Sequence, residues 1–196
     1  MKTFAASASA SAFAAAALLL AARHVAAQTH ALKVNLLSPL VKTSSFFYEQ
    51  QLGAKSSLQL GALATYWSPD GNTTLRGFAF TPEYRRYFSG SEQALNGFYV
   101  APFLRYQHMA LSMGVTAETD TPYTGKVTLQ TLGAGLVVGH QWLYGGRVTL
   151  DTFLGPSYSR NVARFAIGDA QATDQADLGA LSGFGLRAGI TVGVAF

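Results

Sequence analysis

The side chains able to carry chemistry are few, and their spacing limits what they could do. His108 is followed by Ser112 and then by Glu118, so a base, a hydroxyl and a carboxylate fall within one stretch. Acyl transfer would require the hydroxyl and the imidazole to come within hydrogen-bond reach. His140 has no carboxylate beside it in sequence, and His30 precedes the first predicted strand. Asp169, Asp174 and Asp177 suggest a calcium loop, yet their spacing matches no known oxygen-ligand pattern. The absence of cysteine excludes disulfides, thiol chemistry and a lipid anchor on an N-terminal cysteine. No phosphate-binding glycine loop, Walker-type motif or metal-ligand cluster is present, so neither a metal nor an organic cofactor is expected.

A second set of residues stands out by position instead of by neighbours. Lys33, Glu49, Glu83, Arg85, Arg105, Arg147, Asp151 and Arg187 each lie in an extended stretch and alternate with apolar residues. Side chains of a strand point to opposite faces in turn, so all eight fall on the face away from the apolar stripe.

Eight such stretches are predicted. They run over about 31–40, 43–52, 56–67, 75–88, 97–111, 126–142, 147–158 and from Phe184 to Phe196. Each has period two and a length near the roughly 9 to 11 residues that a tilted membrane strand needs. The sixth is the least clear, because Gly133, Gly135 and Gly139 interrupt it. The last alternates Phe184, Leu186, Ala188, Ile190, Val192, Val194 and Phe196 with small or charged residues.

Connections on one side are predicted at 53–55, 89–96 and 143–146, and all are short. Those on the other are 41–42, 68–74, 112–125 and 159–182, which include the two longest. Short periplasmic turns and longer outer loops are the signature of outer-membrane barrels. Aromatic residues gather near strand ends, at Tyr66, Trp67, Tyr87, Phe88, Phe98, Tyr106, Trp142, Tyr144, Tyr158, Phe184 and Phe196, as two interfacial girdles would require. Arg86 is the one charge on an apolar face well inside a strand, near an end where it can snorkel. A soluble sandwich would share the period but would leave the loop asymmetry and the terminal Phe196 unexplained.

At the N-terminus, Met1 and Lys2 precede an Ala-rich apolar run, and Val25-Ala26-Ala27 supplies small residues for cleavage before Gln28. Residues 1–27 are therefore expected to be a signal peptide and 28–196 the barrel domain. The alternative, an uncleaved anchor, lacks a stop-transfer pattern. Without Lys2 and Arg23 the chain carries 12 basic and 10 acidic residues, so a nucleic-acid partner is not expected. No later apolar run of about 20 residues follows, so a membrane could be spanned only by a closed barrel.

The stretch Thr81-Pro82-Glu83-Tyr84-Arg85-Arg86-Tyr87-Phe88, the later Gly97 to Tyr106 and the early Lys33-Val34-Asn35-Leu36 resemble a family of small bacterial outer-membrane proteins known as a domain of unknown function. More broadly the chain resembles OmpA-like barrels. That resemblance implies fold and location, no catalytic residues, and a role for Phe196 as the signal read by the barrel assembly machinery.

Together these features predict an all-β protein, an eight-stranded antiparallel up-and-down transmembrane β-barrel in the bacterial outer membrane, exported after cleavage of its signal peptide. Its expected partners are outer-membrane lipid, periplasmic chaperones and the assembly machinery, with an extracellular ligand at the outer loops as a further prospect. The expected role is structural or interactive and not catalytic, with the charged set filling the lumen. A lipid-modifying enzyme and a narrow pore are the alternatives. Small barrels include lipid A deacylases, but the His-x-Ser spacing of those enzymes is missing, since Met109 and Ala110 follow His108.

Overall fold

The computed structural model describes residues 29–88, 95–116, 122–167, 175–177 and 183–196. The strands are β1 (His30–Asn35), β2 (Thr43–Gly53), β3 (Ser56–Trp67), β4 (Thr73–Tyr87), β5 (Gly97–Thr116), β6 (Pro122–Tyr144), β7 (Val148–Ile167), β8 (Gln175–Asp177) and β9 (Gly183–Ala195). Every pairing is antiparallel. The ladder runs from β6 through β5, β4, β3, β2 and β1 to β9 and β7, and β7 pairs back onto β6, so eight strands close a ring. The three-residue β8 pairs with β7 at Val162–Arg164, taking the flank of β7 beyond the last β9 pair at Ser159 and Gly183.

Closure depends on the join between the first and last strands. The His30 N–H donates to the Phe196 carbonyl at 3.0 Å, and the Phe196 N–H donates to the His30 carbonyl at 2.9 Å. The His30 ring stacks between Tyr48 and Phe196, with centroids 5.8 Å away on either side. Tyr48 Oη lies 2.7 Å from His30 Nδ1. His30 thus belongs to β1 and helps to fasten three strands.

Four strand boundaries differ from expectation. The first strand ends at Asn35, and Ser38–Val41 form a 3-10 turn. Asn35 Oδ1 accepts the Leu37 N–H at 2.9 Å, and Pro39 has no N–H to give to a ladder, so local chemistry replaces strand pairing. Strands β5, β6 and β7 run the other way, to 20, 23 and 20 residues, well beyond 111, 126 and 158. Much of the expected loops 112–125 and 159–182 is therefore paired strand. Ladder hydrogen bonds use backbone groups alone, so pairing continues after the apolar alternation has run out. The wall is consequently tall at β5–β7 and low at β1–β3.

The outer surface is apolar. Phe46, Phe78, Phe80, Phe98, Leu104, Leu132, Leu154 and Leu186 are all exposed, spread over β2, β4, β5, β6, β7 and β9. Inside, large side chains face small ones across the ladder. Phe47 pairs with Gly61, Tyr99 with Gly139, Phe103 with Gly135 and Phe153 with Gly189. A Cβ at Gly61 would stand 2.8 Å from the Phe47 ring, and one at Gly135 would stand 2.7 Å from Phe103. These glycines give the rings room to lie flat across the narrow interior.

Candidate functional site

The interior is layered. Next to the end where His30 and Phe196 meet, Tyr87 and Tyr99 are buried inside the ring, their centroids 5.4 Å apart. Tyr87 was expected in the aromatic girdle, but its neighbours Arg86 and Phe88 take the outward positions and strand parity turns Tyr87 inward. Its hydroxyl donates to Glu49 Oε1 at 2.7 Å, and that of Tyr99 donates to Asp151 Oδ1 at 2.8 Å.

Above the tyrosines sits a charge plug. Lys33 Nζ is bonded to Glu49 Oε2 and lies 3.5 Å from Asp151 Oδ2. Arg85 Nη1 donates to Asp151 Oδ2 at 2.8 Å and to Gln141 Oε1 at 3.0 Å, while its Nε donates to Glu83 Oε1 at 2.7 Å. Arg85 also lies over the Tyr99 ring, 4.3 Å from its centroid. Lys33, Glu49, Glu83, Arg85 and Asp151 have fully buried side chains. Charges removed from water this completely need both opposite charge and hydrogen bonds. Gln59, Gln141 and Ser57 supply the additional bonds.

One layer further toward the loops, Arg187 Nη1 donates to Glu83 Oε2 at 2.6 Å. Its guanidinium lies against the rings of Phe103 and Phe153, at 4.4 and 4.8 Å. Beyond this layer the lumen opens into a cavity of about 290 Å³, lined among others by Asn35, Ser45, Phe47, Arg105, Phe153 and Arg187.

The family model for a protein of unknown function, DUF3575, matches residues 13–177. The chain belongs to the DUF3575 family. No curated protein matches its sequence. Among solved structures, this DUF3575 member is similar to Acinetobacter baumannii CarO, at 14% identity and a TM-score of 0.45, with 89% of this chain and 99% of that one covered. It is also similar to the N-terminal β-barrel domain of Pseudomonas aeruginosa OprF, at 12% identity and a TM-score of 0.37, covering 86% and 98%. The likeness is one of fold.

The barrel of this DUF3575 protein brings together six of the eight charges singled out in the sequence: Lys33, Glu49, Glu83, Arg85, Asp151 and Arg187. Arg105 lies apart, half-buried, with Nε and Nη2 donating to Gln107 Oε1 at 3.2 and 2.9 Å. Arg147 is exposed in the turn before β7, where its N–H donates to the Tyr144 carbonyl, so it takes no part in the interior. It precedes the first paired residue of β7, so strand parity does not govern it.

Gln59, Gln141, Tyr87 and Tyr99 also belong to the plug, each at an inward parity position, and being uncharged they are invisible to a pattern of charges. His108 packs on Phe78, rings 5.6 Å apart, as part of the outer surface. Glu118, Asp169 and Asp174 lie outside the described residues, as do residues 1–27, and of Asp177 only the backbone of β8 is described. No group of three metal-capable side chains occurs among the described residues.

Proposed function

We propose that this protein is an outer-membrane barrel with a structural or surface-interaction role, closed to solute flow by its charge plug and not catalytic. One observation carries the reading: the usual sidedness of a soluble protein is inverted. Phenylalanine and leucine project outward on strand after strand, while lysine, arginine and carboxylates are buried inside the ring. Lipid around a polar, filled lumen rationalises that inversion, and an eight-stranded ring is just wide enough for side chains to fill it.

Export through the N-terminal segment, with cleavage before Gln28, fits this location. Phe196 is then the residue that the assembly machinery reads on the closing strand. His108, packed on Phe78 in the apolar surface, is assigned to the lipid interface instead of to hydrolysis.

Fractionation followed by gel electrophoresis with and without heating tests the reading. The mature chain is expected in the outer-membrane fraction, with a mobility that changes on heating as the barrel unfolds. Recovery in the soluble periplasmic fraction would contradict it.

A further inference from the structure

The cavity on the loop side of the plug is left over by that reading, and among the described residues its charge is unbalanced. Three interior carboxylates, Glu49, Glu83 and Asp151, are engaged by Lys33, Arg85 and Arg187. Arg105 is a fourth cation on the inward face. It meets the neutral Gln107 and no carboxylate among the described residues, and it lines the same cavity as Arg187. A half-buried guanidinium bonded to a neutral amide, in a cavity that a second arginine also lines, favours an anion from outside the chain.

The remaining wall says which kind. Phe47, Phe153, Leu63 and Val41 give the cavity an apolar body, with Asn35 and Ser45 in its polar lining. Arg187 is already committed to Glu83, so a single positive charge is available. That matches a monoanion and not a phosphate dianion. A volume of about 290 Å³ sits at the lower end of small-molecule sites, which run from about 300 to 1,000 Å³. We infer that this cavity binds a small organic carboxylate, its charged head on Arg105 and its apolar body against Phe47 and Phe153. The site is built by the fold, so the inference holds whichever membrane the barrel occupies.

The full mature chain, folded in a neutral detergent, can be titrated calorimetrically with benzoate, benzyl alcohol and inorganic phosphate. Benzoate is expected to bind saturably at one site per chain, with the alcohol and phosphate each weaker by about tenfold or more, the scale of one charge-assisted contact. Arg105→Gln is expected to weaken benzoate by about the same factor, and Arg105→Lys by less, since charge is kept and the planar fork lost. Arg164→Gln, an exposed arginine on β7, is expected to bind as the unaltered chain does. Heat-dependent gel mobility verifies that each variant is folded. Absent saturation, preference for phosphate, equal binding of the alcohol, or undiminished binding by folded Arg105→Gln would overturn the inference.

Discussion

In the half of the lumen beside His30 and Phe196, Lys33 and Arg85 meet Glu49, Glu83 and Asp151 with no exposure to water, whereas on the loop side Arg105 is half-buried and, among the described residues, bonds to Gln107 and to no carboxylate. The walls explain the contrast. Near His30 and Phe196 all eight strands surround the interior, so water is excluded and each charge must find a partner. Toward the loops, β1 ends at Asn35 while β5 to β7 continue upward, so one side of the wall is low and an unmatched cation can remain hydrated. One ring therefore holds a sealed region and an open one, separated by Phe47, Phe103 and Phe153.

The contrast can be broken most forcefully at Arg85. Arg85→Met leaves three carboxylates with Lys33 and Arg187 alone, and a loss of about 3 to 5 kcal/mol is expected from denaturant unfolding in detergent, as for other broken buried pairs. An unchanged unfolding midpoint would mean that the plug is not sealed. Gly61→Val comes next, because its added atoms meet the Phe47 ring that separates the two regions. Overpacking there should cost about 1 to 3 kcal/mol in the same assay.

Arg105→Gln sharpens the comparison from the other side. It removes no ion pair found among the described residues, so its stability change should stay within about 1 kcal/mol. A loss matching that of Arg85→Met would erase the distinction between the two halves.

The smallest effect lies outside the barrel, in the turn after β3. Asp70 accepts the Thr73 N–H at 2.7 Å and the Asn72 N–H at 3.0 Å. Those bonds, that from Thr73 foremost, hold its carboxyl below the ordinary range. A lowered folded value stabilises the turn fully above the ordinary Asp value of about 3.9, and that contribution is lost as pH falls through the folded value. The Thr73 amide resonance should therefore titrate with a midpoint below that of a free aspartate. A midpoint at or above it, or the same titration in Asp70→Asn, would remove this assignment.

Much of this architecture was legible in the chain, because a strand's period is two and a barrel has only two faces. The alternation around Lys33, Glu49, Arg85 and Asp151 is enough to set them on one face. Which charge meets which is not legible. Lys33 reaches Asp151 across 118 positions of sequence, and that meeting depends on the register of β1 on β9 and of β9 on β7. Arg147 shows the limit of parity, since a residue in a turn has no face assigned to it. Tyr87 shows the converse: an aromatic near a strand end suggests a girdle, yet its inward parity decides. The pairing of rings with glycines was hidden for the same reason as the ion pairs. Gly189 and Phe153 are far apart until the last strand closes on β7.

Conductance of the purified full-length mature chain in planar bilayers tests the sealed half most directly. The fully buried network of Lys33, Glu49, Arg85 and Asp151 predicts insertion without stable single-channel steps at neutral pH. Reproducible, long-lived steps from the folded, heat-modifiable protein would contradict the plug.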